Sequence, residues 1–199
     1  MMKKLLISTG NQDKIIEIRD KYQDLDYEII SPNKLGLNLD VEETGSTLEE
    51  NALLKARAGA EVSNLLTLAD DTGLEVDALD GRPGIYSARF AGAEATYEDN
   101  NQKLLKLLKN YSEEERTACF VTVVAVVDPV SGREETVRGI CCGRIISEFR
   151  GDNGFGYDPI FYLPEKGKTF AELSTEEKNR ISHRANALKK MKKILDNWN

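Results

Sequence analysis

Leu66-Thr67-Leu68-Ala69-Asp70-Asp71-Thr72-Gly73-Leu74 decides how this chain is read. Its first four residues form an apolar run short enough for a buried strand. Two adjacent carboxylates, a hydroxyl and a glycine follow. This places acidic oxygen at a strand end, where ligands collect in open α/β sheets. Adjacent aspartates there suit a hard cation held through oxygen, with one of them orienting a water. Asp, Thr and Gly are equally ordinary turn formers, so a capped turn between two strands fits the same residues. On both readings Gly73 turns the backbone sharply before Leu74-Glu75-Val76 resumes an extended pattern.

Upstream, residues 3–8 read as a first strand, and helical periodicity runs from Lys14 to about Asp24. Between them lies Thr9-Gly10-Asn11-Gln12-Asp13-Lys14. A glycine turn before a helix N-terminus offers backbone N–H groups to an anion, and Lys14 is in reach of it. The stretch lacks the spacing of a P-loop, and a purely structural turn fits as well. Residues 27–30 read as a second strand. Thr47 with Glu50, or Ser46 with Glu49, forms a capping box for a helix over residues 48–62. Asn51 and Lys55 share one face of that helix. Glu42 and Glu43 lie just outside its start.

Downstream, Asp80-Gly81-Arg82-Pro83-Gly84 is a turn, and residues 96–108 form an amphipathic helix whose leucines 104, 105, 107 and 108 pack on the sheet. Residues 119–127 and 134–146 read as a long hairpin. Gly154-Phe155-Gly156-Tyr157-Asp158 suits a loop presenting an aromatic face to a flat ligand. Ser182 caps a last helix ending near Asp196, and His183, the single histidine, opens it.

The 199 residues suit one domain, with 40% hydrophobic and 31% charged residues marking a globular chain. No apolar run approaches the ~20 residues that span a bilayer, and no signal peptide is evident, so a cytoplasmic protein without membrane contact is expected. A net charge of −7 argues against nucleic acid as a partner. Cys119, Cys141 and Cys142 have neither metal-ligand spacing nor a disulfide framework and read as buried thiols. No HExxH, CxxC, GxSxG or GxGxxG pattern is present, which sets aside zinc, serine-hydrolase and dinucleotide chemistry. What remains, carboxylates with lysines and arginines, favours metal-assisted chemistry on a phosphate ester.

Taken in order, Thr9 to Lys14, Glu42-Glu43-Thr44-Gly45, Glu50-Asn51 with Lys55, Ala69 to Leu74, Pro83 to Arg89, Gly154 to Pro159 and Ile181-Ser182-His183-Arg184 resemble the inosine triphosphate pyrophosphatase family over nearly the whole chain. The resemblance implies an α/β fold with an elongated mixed central sheet flanked by helices, and two lobes with an active-site cleft in a single domain over residues 1–199. It also implies a homodimer, a magnesium requirement, and hydrolysis of nonstandard purine nucleoside triphosphates to monophosphate and pyrophosphate. Where this chain has Thr72 the family usually has serine.

By the same resemblance Asp71 is the proton acceptor, supported by Asp70, with Lys14 and Lys55 as the catalytic cations. Magnesium falls to Asp71 with one of Glu42 and Glu43, Glu43 being slightly favoured because it is nearer the turn into the helix. Substrate contacts fall to Thr9, Gly10, Asn11, Gln12, Asp13, Lys14, Thr72, Phe155, Gly156, Tyr157, Asp158, Lys178, His183 and Arg184. The amides of residues 9–11 would draw off phosphate charge. Phe155 or Tyr157 would stack on the purine, while Lys178, His183 and Arg184 donate to it. The rivals are a Maf-like nucleotide pyrophosphatase, separable by a substrate panel, and a module that binds a nucleotide without cleaving it.

Overall fold

The computed structural model describes residues 2–39 and 41–198. Among them an eight-stranded mixed sheet runs in the order β2-β1-β3-β5-β6-β7-β8, with β4 on β3. The strands are β1 Lys3–Ile7, β2 Tyr27–Ile30, β3 Leu66–Val76, β4 Pro83–Gly84, β5 Thr117–Val127, β6 Glu134–Ile145, β7 Phe161–Leu163 and β8 Lys168–Thr169. β1 pairs in parallel with β2 and β3, whereas β4 on β3, β7 on β6 and β8 on β7 are antiparallel. The helices are α1 Gln12–Tyr22, α2 Leu48–Ser63, α3 Tyr97–Leu107, α4 Thr175–Ile181 and α5 His183–Leu195.

Local chemistry starts each helix. Asn11 caps α1, its Oδ1 accepting from the amides of Asp13 and Lys14, and Thr47 caps α2 by accepting from Glu50. Thr96 with Asp99 and Ser174 with Glu177 form reciprocal capping boxes on α3 and α4. Ser182, in extended conformation, separates α4 from α5.

The chain folds as two compact units. One comprises the chain up to Asp71, Thr122–Gly139 and the stretch from Arg184 on. In its core Ile15, Ile18 and Tyr22 of α1 and Leu188, Met191 and Leu195 of α5 meet Leu5, Ile7, Leu68, Val124 and Val126 of the strands. The i, i+3, i+7 spacing on both helices explains why one face of each is dry. The other unit comprises Thr72–Val121 and Ile140–His183. Its core gathers Leu74, Leu104, Leu108, Phe120, Tyr157, Phe161 and Phe170. Leu107, read from the sequence as a packing residue, is exposed.

Two expectations need correction here. β3 does not end at the aspartates but continues through Asp70, Asp71, Thr72 and Gly73 to Val76. Gly73 makes no turn. A Cβ on it would lie 2.5 Å from the Gly84 carbonyl oxygen, so glycine serves the close approach of β4. The cysteines also differ. Cys119 and Cys142 form a disulfide, because β5 and β6 bring their Cα atoms to 4.0 Å, a register that a separation of 23 residues does not reveal. Cys141 remains a half-buried thiol whose pKa burial pushes up to about 11.

Candidate active site

Successive side chains of a strand point to opposite faces, so the two aspartates of β3 meet different company. Asp70 is 1% exposed. Its Oδ2 lies 3.0 Å from Lys14 Nζ, in the first turn of α1, and 3.2 Å from Arg184 Nε, at the start of α5. Arg184 Nη1 in turn donates to Glu17 Oε2 at 2.7 Å, and Glu17 stands one turn past Lys14 on α1. Burial opposes the charge on Asp70, but Lys14 and then Arg184 outweigh it and hold the carboxyl well below the usual range. Burial lowers the pKa of Lys14, and the nearby Arg184 and Lys55 charges add to the effect against Asp70.

Asp71 faces α2. Lys55 Nζ sits 2.7 Å from Asp71 Oδ1 and 2.7 Å from Glu43 Oε1, bridging the two carboxylates. The Lys55 carbonyl accepts from the Ser8 hydroxyl at 2.8 Å, and Gly59 lets α2 approach, since a Cβ there would come within 2.8 Å of Thr67. Asp71 Oδ2 is buried and makes no hydrogen bond among the described residues. Burial, then repulsion from Glu43, raise the Asp71 pKa against the pull of Lys55. Lys55 loses basicity to burial but regains more from Asp71 and Glu43, so it stays cationic. Glu42 is exposed while Glu43 is half-buried on Lys55, which distinguishes the two glutamates.

In the other unit, Asp158 Oδ2 accepts from Lys178 Nζ at 2.7 Å and from the Phe155 amide at 2.9 Å. Lys178 Nζ lies 4.7 Å from the centre of the half-buried Phe155 ring. Gly154 has φ +76°, and a Cβ on it would strike the Asp158 carboxylate at 2.0 Å. That carboxylate therefore requires glycine in the loop. His183 stacks on Phe120 at 4.6 Å between ring centres.

The sequence profile that describes the Ham1 family matches residues 5–194. The chain belongs to the Ham1 family. It is 52% identical to a dITP/XTP pyrophosphatase of Thermoanaerobacter sp. strain X514 over 96% of each chain. It is 47% identical to a dITP/XTP pyrophosphatase of Bacillus subtilis over 98% of each. Among solved structures it resembles a HAM1 protein from Coxiella burnetii, with a TM-score of 0.90 and 40% identity over 98% of each chain. The Staphylococcus aureus Ham1 protein gives a TM-score of 0.88 and 45% identity over 98% of each chain.

Within this Ham1 chain, Lys14, Lys55, Asp70, Asp71 and Glu43 come together as one charged network. Two expectations change. The amides of residues 9–11 are not an open cradle: that of Thr9 donates to the Ile7 carbonyl at 3.0 Å and that of Asn11 to Thr9 Oγ1 at 3.2 Å. The amides of Gly10 and Gln12 make neither bond, and Gln12 and Asp13 side chains are exposed. Arg184 sits beside Asp70 and Glu17 in the first unit, bonded to them through Nε and Nη1. Tyr157 is buried, its hydroxyl donating to the Ser87 carbonyl at 2.9 Å, so Phe155 is the ring left to stack. Thr72 is half-buried and Gly156 has φ +64°.

Glu17 was missed because one more acid on a helix surface carries no signal alone. The signal is that a fully buried arginine needs two carboxylates, and Glu17 shares the Lys14 face of α1. Tyr157→Phe leaves the Ser87 carbonyl short of a donor, an expected loss of about 1–2 kcal/mol in a urea melt. The preference among purine substrates is expected to stay within about twofold, because the ring is a core residue. A large change in base preference contradicts that placement.

Proposed function

We propose that this protein hydrolyses nonstandard purine nucleoside triphosphates, ITP, dITP and XTP, to the monophosphate and pyrophosphate. The observation that carries the reading is the Lys55 bridge between Asp71 and Glu43 beside the Lys14–Asp70 pair. Relatives named dITP/XTP pyrophosphatase over nearly the full chain support it. A carboxylate with raised pKa is suited to accept a proton from water, and Asp71 is assigned that role. Lys14 and Lys55, with the amides of Gly10 and Gln12, stabilise charge moving toward the leaving pyrophosphate. Asp70, held anionic, orients Lys14.

Magnesium suits the donors present. It is typically bound through one or two carboxylates with waters and substrate phosphates, without an all-protein cage. Among the described residues no group of three or more His, Cys, Asp or Glu is gathered as a cage, and Asp71 Oδ2 and Glu43 supply the sparse oxygen set that this style of binding uses. Bound there, the ion would polarise the phosphoryl oxygens and favour ionisation of the attacking water.

Base selection is assigned to Phe155 as the stacking ring, with Lys178, His183 and Arg184 as donors to the 6-oxygen of hypoxanthine or xanthine. Adenine offers an amino group there, which leaves buried donors facing a donor. In keeping with the family resemblance, the enzyme is read as a cytoplasmic homodimer, checked by light scattering. The test of function is pyrophosphate release from ITP, XTP, dITP, GTP and ATP with and without magnesium. Turnover of ITP, dITP and XTP at least ~100-fold above ATP, and dependent on magnesium, is expected; equal turnover of ATP and ITP overturns the reading.

A further inference from the structure

Asn51 has no part in the chemistry above, yet it occupies the same face of α2 as Lys55, one turn earlier. It is completely buried. Its Oδ1 accepts the Gly45 amide at 2.8 Å, two residues after Glu43. Gly45 is pressed against it, since a Cβ there would lie 2.6 Å from that oxygen. The neighbouring ties of this segment, Glu50 to Ser46 and Thr47 to Glu50, are solvent-exposed. The Asn51 bond is therefore the best shielded of these ties seating the segment that carries Glu43.

The other half of the amide is not used. Asn51 Nδ2 is buried and donates no hydrogen bond among the described residues. Buried polar groups almost always find a partner, and an unmet donor is costly. Seating Gly45 requires only an acceptor, so the latch does not explain why the residue also carries an NH2 group. A ligand explains it better: one turn along the same face of α2, Lys55 bridges Glu43 and Asp71, which frame a site whose proposed occupants, phosphate oxygens and metal-bound water, include acceptors for such a donor.

We propose that Asn51 is a ligand-contacting residue: Oδ1 latches the Glu43 segment, and Nδ2 donates to a phosphate oxygen or metal-bound water of the occupied site. The proposal rests on the function proposed above. The test is a side-chain amide spectrum of the whole protein, with the Asn51 signal assigned as the one lost in Asn51→Asp, titrated with magnesium and inorganic pyrophosphate. Expected is a downfield shift and slowed solvent exchange of one Asn51 amide proton, while the Asn197 side chain, bonded to the Lys193 carbonyl on α5, does not move.

If backbone amides around Lys14 and Lys55 shift but the Asn51 signal does not, the contact is overturned and the phosphate site stands. If no signal moves anywhere, the phosphate site and this contact fail together. Kinetics give a second reading. Asn51→Asp keeps the acceptor for Gly45 and removes the donor, so kcat for ITP at saturating magnesium is expected to fall about 10- to 100-fold with the fold retained by circular dichroism. Wild-type kcat in that variant overturns the proposal.

Discussion

Asp71→Asn lowers kcat for ITP by about a thousandfold, while the thermal midpoint stays near that of the unaltered protein. The two halves of this expected result have separate causes. Asparagine keeps an oxygen to accept from Lys55, and Lys55 still has Glu43 at 2.7 Å, so no buried charge is stranded. The proton acceptor, however, is gone. The pH dependence carries the same argument. Burial and Glu43 raise the Asp71 pKa, so the carboxyl takes up its proton at a higher pH than an ordinary aspartate and stops serving as a base there. The acidic limb of kcat/KM for the free enzyme is therefore expected above about pH 4, the ordinary aspartate value, and absent from the residual activity of Asp71→Asn. Near-normal turnover in that variant removes the base assignment.

The same substitution one residue earlier has the opposite profile. Asp70→Asn takes away the carboxylate that Lys14 and Arg184 share in a buried space, while the Arg184 bond to Glu17 stays. Breaking a buried pair by removing one partner costs about 3–5 kcal/mol, which a urea melt at neutral pH would show as a large drop in midpoint. The sign with pH follows from the depressed pKa. The contribution of Asp70 is fully present above the unfolded-state value near 3.9 and is lost as pH falls through the lower folded-state value. The stability gap between the two proteins is expected to persist through the mildly acidic range and close only below it. Adding Lys14→Met to Asp70→Asn should recover part of the loss, because one stranded cation is gone. A gap that is already closed at pH 5 contradicts the depressed pKa.

How much of this could be read from the chain alone varies with the range of the interaction involved. The start of α2 was legible because Thr47 and Glu50 act within one turn, and the helix at Leu48–Ser63 matches the periodicity over residues 48–62. The strand over Tyr27–Ile30 was legible for the same reason. Adjacent aspartates, by contrast, suggested a strand end, because the apolar run gives way there to acids, a hydroxyl and a glycine that ordinarily form turns, and buried carboxylates need partners. Lys14, Lys55 and Arg184 remove that objection, but they come from three distant parts of the sequence. Tyr157 in a glycine-rich loop resembled an exposed ring until its hydroxyl was found on the Ser87 carbonyl, 70 residues away. The Cys119–Cys142 pairing depends on the register of two strands, which no local pattern encodes.

The uninterrupted run of β3 through both aspartates makes the spacing of this strand as consequential as its composition. Inserting or deleting one residue just before Asp70 would exchange the faces of the pair. A deletion would bring the second acid against the guanidinium, and an insertion would bring the first toward Glu43. In each case the other acid would change face but stand two residues away from its partner's former place, so both side chains would survive in the gene with at most one of the two posts filled.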